Sequence, residues 1–355
     1  MSKRYIDVAG VRIGGGAPVS IQSMTTADTA GKPSGFAPIR DACQIRELEE
    51  AGCELVRVAA YDLNSAKNIR NIVDGTSLPI IADVHFDAGI AIAAIEAGAH
   101  KVRINPGNIG SRDKIESVVR AAKMAGVPIR VGANSGSLAK DYAGLKLSDA
   151  LVESALSNVR ILEKLGFYDI AISLKASDVS ATIQAYRKMS GIVDYPLHLG
   201  VTEAGAYAAS VVKSSIGIGS LLVDGIGDTI RVSVTGDPVR EIGVARDILR
   251  YSGVRNFGPE IISCPTCART KIDLEKMVER VEKLTANMTA PLKIAVMGCA
   301  VNGPGEAKSA DAGIAGGKGE GLIFIRGEIY KKLPEEKLLS EFADVLEKLA
   351  KEMEA

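Results

Sequence analysis

Three cysteines late in the chain carry the most specific chemical signal. Cys264 and Cys267 stand two residues apart in Cys264-Pro265-Thr266-Cys267, and Cys299 opens Cys299-Ala300-Val301-Asn302-Gly303-Pro304-Gly305-Glu306. A Cys-x-x-Cys pair alone fits a redox dithiol as well as a metal site. The third thiol, set among turn residues that let the backbone wrap closely, moves the reading towards a metal. Three thiolates leave one ligand position open. Zinc takes three Cys plus His, yet no histidine follows His198. A cubane iron–sulfur cluster tolerates three thiolates with a non-Cys ligand or an open iron, and Glu306 is the nearby candidate. On spacing alone, three readings stand in this order: an iron–sulfur centre, a structural zinc completed by Glu306 or an outside ligand, and a thiol pair. Cys43 and Cys53 read as small buried hydrophobes.

A second set of residues is cationic. Short β-branched runs end in Arg57, in Lys101, Arg103 and Asn105, in Arg130 and Asn134, in Lys175, and in Arg231 and Ser233. Residues two apart on a strand face the same way, so Lys101, Arg103 and Asn105 form a row. Arginine almost never buries without a partner. An inward ring of Arg57, Arg103, Arg130, Lys175 and Arg231 with few carboxylates therefore implies a bound anion, and guanidinium forks match phosphate oxygens. His85 and His198 stand at strand ends in the same series, beside Asp83 and Glu203.

The elements that position these residues repeat. Strands are expected at Val19–Thr25, Leu55–Tyr61, Pro79–Phe86, Lys101–Asn108, Pro128–Ser137, Asp169–Ser177, Pro196–Glu203 and Thr229–Thr235. Their starts recur about every 30 residues, the length of a βαβ unit. Amphipathic helices fall between them, such as Asp41–Ala51, Arg112–Ala125 with Ser111 as its cap, Asp149–Leu165 and Pro238–Tyr251. Eight units predict an α/β fold, a (β/α)8 barrel over residues 1–256. No Gly-x-Gly-x-x-Gly follows the first strand, and the polar residues gather at the C-terminal strand ends, where such barrels place their sites. From 257 to 355 a smaller α+β domain is expected. It contains a strand into Cys264, a helix over Asp273–Met288, a strand Leu292–Met297 into Cys299, turns and a short strand, then strand Leu322–Ile325 and a last helix opened by Pro334.

Composition bounds the function. The 43 basic and 43 acidic residues cancel, which argues against a general polyanion binder, and no Trp with 4% aromatics argues against base-stacking platforms. No apolar run reaches membrane-spanning length and no signal-peptide core opens the chain, so a cytoplasmic protein is expected.

Five separated motifs, in order, resemble one family. Ser20-Ile21-Gln22-Ser23-Met24-Thr25, Arg103-Ile104-Asn105-Pro106-Gly107-Asn108-Ile109-Gly110, Gly225-Ile226-Gly227-Asp228-Thr229-Ile230-Arg231-Val232-Ser233, Cys264-Pro265-Thr266-Cys267-Ala268-Arg269-Thr270 and Asn302-Gly303-Pro304-Gly305-Glu306 are similar to those of 4-hydroxy-3-methylbut-2-enyl diphosphate synthases. The resemblance spans essentially the whole chain, in the shorter bacterial two-domain form. It implies reductive ring opening of 2-C-methyl-D-erythritol 2,4-cyclodiphosphate to (E)-4-hydroxy-3-methylbut-2-enyl diphosphate, with loss of water. It further implies a [4Fe–4S] cluster on Cys264, Cys267, Cys299 and Glu306, and a flavodoxin or ferredoxin as electron donor. A homodimer follows from the same likeness, the cluster domain of one chain serving the barrel of the other; closure within one chain is the alternative from sequence. Substrate binding then falls to Arg57, Arg103, Asn105, Arg130, Asn134, Lys175, Arg231 and Ser233, and catalysis to Glu306, His85, His198 and Asp224. Asp224 stands where many relatives carry Glu. A non-redox hydro-lyase, or a phospho-ligand barrel with a structural zinc domain, are the rival functions.

Overall fold

The computed structural model describes residues 2–27, 29, 37–142, 144–299 and 307–354. The chain divides into two units, Met1–Arg255 and Asn256–Ala355.

Eight parallel strands build the first unit: β3 (Ser20–Met24), β4 (Leu55–Ala59), β5 (Ile80–Asp83), β6 (Lys101–Ile104), β7 (Ile129–Asn134), β8 (Ile170–Lys175), β9 (His198–Leu199) and β10 (Thr229–Ile230). They run in the order β8-β7-β6-β5-β4-β3-β10-β9. A parallel bridge between Ile172 and Leu197 joins the two outer strands into the expected barrel. Three of the helices that follow the strands start on an aspartate cap. Asp62, Asp87 and Asp178 accept backbone N–H bonds from Ser65, from Gly89 and Ile90, and from Ala181, satisfying orphan donors of the first turn. Ser111 occupies the expected cap position but makes no side-chain cap bond.

Several strands end sooner than expected. β6 stops at Ile104, since Pro106 opens a helical turn, Pro106–Ile109, at a position where its missing N–H costs nothing. β7 gives way after Asn134 to a 3-10 turn over Ser135–Ser137. The last two strands keep two residues each, and their polar sequels leave the ladder to form the rim.

The other end of the barrel carries a hairpin that the sequence reading missed. Strands β1 (Tyr5–Val8) and β2 (Val11–Gly14) pair antiparallel across Ala9 and Gly10, both at positive φ. Two such residues fit the right-handed twist of a two-residue hairpin turn. Ile6, Val8 and Ile13 pack on Leu55, Ile81 and Ala171. Alternation in Tyr5-Ile6-Asp7-Val8 was the available signal.

In the second unit β11 (Glu260–Ser263), β12 (Lys293–Met297) and β13 (Ala312–Gly316) run parallel. β14 (Glu320–Ile325) and β15 (Glu328–Pro334) continue the sheet antiparallel. Helices Leu274–Thr285 and Glu335–Glu354 supply apolar stripes to its core, including Val281, Leu338 and Phe342. Gly313 lies under Phe324, where a Cβ would come within 2.2 Å of the ring. Close packing explains the glycine-rich sequence there. β15 was not expected; its exposed Lys331 and Lys332 suit an edge strand, and Pro334 closes it instead of opening the helix.

Candidate active site

The barrel register sets the site. Arg103 lies level with Asp83 on one side and Arg130 on the other, while Arg57 lies level with Met24 and Ile81. Inward side chains from these strands meet at the C-terminal end around a cavity of about 200 Å³. Arg57, Arg103, Arg130, Lys175 and Arg231 line it, with Asp83 the one carboxylate among the described lining residues. His85, Asn134, Ser173, Thr202 and Ser233 complete the polar wall.

Two carboxylates hold the cations in place. Asp83 lies 3.7 Å from Arg57 Nε and 3.4 Å from Arg103 Nη1. Burial pushes its carboxyl up, but Arg57, His85 and Arg103 outweigh this and hold it far below the usual range. Glu241, on the helix Val239–Tyr251, is buried and accepts from Arg231 Nε and Nη2 at 3.3 and 3.2 Å and from Ser23 Oγ at 2.9 Å. Sequence reasoning missed Glu241, because an acidic residue in a first helical turn reads as ordinary. Met24 was missed as well: its sulfur accepts from Arg57 at 2.9 and 3.1 Å and lies 3.7 Å from Arg231 Nη1.

Arg130 has no such support. It is 1% exposed, and its Nε and Nη1 find no hydrogen-bond partner among the described residues. Burial and the neighbouring Arg57 and Arg103 push its pKa down. Burial, chiefly, pushes Arg57 down to about 10. Such a cluster is electrostatically incomplete without an anion. Small residues make room for it: a Cβ on Gly132 would lie 3.1 Å from Arg103 Nε, and one on Gly200 would lie 2.9 Å from Lys175 Nζ.

Other expected residues fall elsewhere. His85 joins the cavity only at its exposed rim, 3.4 Å from Asp83 and 3.2 Å from Arg103 Nη1. Asn105 and His198 are buried behind the wall and do not line the cavity. Asp224 does not join the site. It precedes β10, hence lies at the opposite barrel end, where it pairs with Arg187 at 2.8 Å and lines a separate polar pocket with Ser2 and Asp194. A sequence neighbour of Arg231 along the chain is not its neighbour at one end of the barrel. Glu306 lies outside the described residues.

In the second unit the two parallel strands bring the cysteine loops to one sheet end. Ser263 pairs with Val296, so Cys264 and Gly298-Cys299 leave side by side. The Gly298 N–H donates to Cys264 Sγ at 3.3 Å. Lys271 N–H donates to the Gly298 carbonyl at 2.8 Å, Thr270 N–H to the Cys267 carbonyl at 3.0 Å, and Cys267 N–H to Thr270 Oγ1 at 3.2 Å. Cys299 is buried, Cys264 half-buried and Cys267 exposed. A backbone bond from Arg269, followed by its side chain, lowers the Cys267 thiol below its ordinary pKa. N–H donors aimed at sulfur favour thiolate, the form that binds metal. Among the described residues no three His, Cys, Asp or Glu side chains are gathered closely enough to hold a single ion.

Fold and site together define a (β/α)8-barrel protein with a cavity lined by basic side chains and a second, thiol-bearing domain. Comparison with known families narrows this. Residues 3–246 match the GcpE TIM-barrel domain and residues 260–348 the GcpE protein C-terminal domain. The chain belongs to the GcpE family. Similar proteins include one from Desulfotalea psychrophila, 54% identical over 99% of this chain and 96% of the relative. Another, from Caldanaerobacter subterraneus, is 54% identical over 98% of each. Both are named 4-hydroxy-3-methylbut-2-en-1-yl diphosphate synthase (flavodoxin). Among solved structures, Yersinia pestis dihydropteroate synthase superposes with a TM-score of 0.52 at 13% identity, over 72% of this chain and all of that one. That likeness concerns the barrel fold alone. Among the described residues no helix is long and apolar enough to cross a membrane.

Proposed function

We propose that this chain is a 4-hydroxy-3-methylbut-2-enyl diphosphate synthase, which opens 2-C-methyl-D-erythritol 2,4-cyclodiphosphate by two-electron reduction and releases water. The observation that carries the reading is Arg130, buried without hydrogen-bond partners for Nε and Nη1 among the described residues, in a cavity lined by four guanidinium groups and the Lys175 amine. A diphosphate would neutralise it, and relatives 54% identical bear the name of that enzyme.

The thiols of Cys264, Cys267 and Cys299, with the carboxylate of Glu306, would hold a [4Fe–4S] cluster, the last being a harder and more exchangeable ligand. When bound, such a cluster supplies electrons one at a time and a Lewis-acidic iron. The barrel residues do the rest. Arg57, Arg103, Arg130, Lys175 and Arg231 grip the phosphates, and the binding energy of that remote part of the substrate orients the carbon skeleton. Asp83 and Glu241 fix three of these guanidinium groups before substrate arrives, so little reorganisation accompanies binding. Asn134 and Ser233 offer polar contacts on the same wall. Flavodoxin, named in the relatives, is the proposed electron donor, and two chains pair so that the cluster domain of one serves the barrel of the other.

Anaerobic turnover with and without a reduced one-electron donor tests the reaction. Product should form only with donor and in proportion to the electrons supplied. Conversion of the cyclodiphosphate without donor would point to a hydro-lyase instead. A colourless, zinc-containing protein from anaerobic purification would exclude the cluster.

A further inference from the structure

Behind the cavity wall, next to the lining residue Lys175, lie an amine and an imidazole that phosphate gripping does not explain. Lys101 sits two residues before Arg103 on β6, is 0% exposed, and its Nζ has no hydrogen-bond partner among the described residues. His198 is equally buried, and its Nδ1 is likewise unpartnered. Its Nε2 lies 3.2 Å from Lys175 Nζ. An ammonium only donates, and an imidazolium only donates, so this contact forbids charging both partners.

Among the described residues the charges felt by these groups are positive. Arg130 and Arg57 act on Lys101. Arg130, Arg57, Arg231 and Arg103 act on Lys175, whose Nζ also meets His198. Lys175, Arg130, Lys101 and Arg57 act on His198. Of the acids nearby, Asp83 is engaged by Arg57, Arg103 and His85, and Glu241 by Arg231 and Ser23. Tyr186 donates its hydroxyl to the His198 carbonyl, and burial holds that phenol protonated. Burial first, and then the neighbouring cations, push Lys101, Lys175 and His198 well below their ordinary values.

We propose that Lys175 on the cavity lining, with Lys101 and His198 behind it, forms a proton-accepting set, short of protons in the free protein and loaded from solvent when an anion binds. Loading moves protons only; no bond to carbon changes and no electron moves. The natural ligand rests on the functional reading above, but any strong-acid dianion serves as a probe. If that reading holds, the loaded protons lie close to a reaction that must protonate a departing oxygen.

The sign follows from linkage. The free site has depressed pKa values, and an adjacent dianion raises them. Affinity is therefore flat below the free values and falls as pH rises between free and bound values, about tenfold per pH unit for each proton taken up. The cyclodiphosphate suits the measurement because its two acidic oxygens are fully ionised near neutrality. Unbuffered protein held at constant pH between 7 and 9 is titrated with cyclodiphosphate, and separately with sodium sulfate against chloride of matched ionic strength. The acid needed to hold the pH counts the protons. We expect about one proton per site, and less in Lys101→Met and in His198→Gln.

If the cyclodiphosphate binds without acid demand, the inference fails while the functional reading stands. If the cyclodiphosphate does not bind, the functional reading fails and sulfate decides the inference: acid demand supports it and none overturns it. Demand unchanged in both variants, each confirmed folded by circular dichroism, overturns the assignment to these residues.

Discussion

The barrel cavity and the cysteine loops solve the problem of holding reactive groups in opposite ways. Cavity residues project from the strands or from one to three residues beyond them, and buried Asp83 and Glu241 brace three of the guanidinium groups. The cysteines stand on loops beyond two strands, with four hydrogen bonds there among the described residues, two of them backbone to backbone, and Cys267 is exposed. A preorganised site belongs on rigid elements. A site whose geometry a cofactor imposes can sit on loops, because metal binding itself supplies ordering energy. The comparison implies that mutations in the loops act by losing the cofactor, whereas mutations in the barrel act on affinity with the fold intact.

The largest effect is therefore expected from Cys264→Ala. Broad absorption near 400 nm from anaerobically prepared protein should disappear, and activity should fall to background. Cyclodiphosphate affinity of the barrel, measured by calorimetry, should change little. Mixing this variant with Arg231→Ala sharpens the point. If each cluster domain serves the partner's barrel, mixed dimers contain one intact site and activity returns after subunit exchange. No recovery despite demonstrated exchange would favour closure within one chain.

Arg130→Met should come next. Truncating a buried, charge-paired group costs about 2–5 kcal/mol, or roughly 30- to 4,000-fold in kcat/KM. The ligand-free barrel should respond in the other sense. Removing an uncompensated buried cation favours the folded state, so the variant should melt at a higher temperature without substrate. Absorption near 400 nm should be unchanged. A variant that is both less active and less stable would mean that Arg130 is a structural partner after all.

How much of this was legible in the sequence depends on the kind of signal. Arg57, Arg103, Arg130, Lys175 and Arg231 were found because charge at the end of an apolar run is locally anomalous, and the barrel then brings all five to one cavity. Glu241 and Met24 were missed because nothing local marks them. Their roles arise only when the ring closes and sets β10 against β3. Asp224 shows the converse error. It is seven residues from Arg231, and a strand of a parallel barrel puts the two at opposite ends. Strand ends were overrun where polar rim residues prolonged the run beyond the ladder, as at Thr202 and Ser233.

Glu241→Gln should have a more modest effect. The amide keeps the shape and can still accept from Ser23, but the charge on Arg231 loses its counterpart. A hydrogen bond to a charged group contributes about 1.5–3 kcal/mol, so kcat/KM should drop roughly tenfold or somewhat more, mainly through KM. Adding Arg231→Ala to this variant should cost less than Arg231→Ala costs alone, since the two act through one guanidinium. Full additivity would show that Glu241 braces the helix and not the arginine.

The smallest effect on activity, and the sharpest separation of framework from site, is expected from Ile13→Ala in the hairpin. Ile13 is fully buried with Ile6 and Val8 against Leu55, Ile81 and Ala171, at the barrel end away from the cavity. Truncating it leaves a void that the two-strand hairpin cannot fill, for about 2–4 kcal/mol of stability. The cavity side chains lie farther along the same strands: Arg57 is two residues beyond Leu55, and Asp83 two beyond Ile81. If strand register alone sets their positions, substrate affinity and the 400 nm absorption stay at wild-type values while the denaturation midpoint falls. If affinity falls in step with stability, the plug holds Leu55 and Ile81 in the geometry that Arg57 and Asp83 require. The barrel ends would then be coupled through β4 and β5, and the hairpin would count as part of the site.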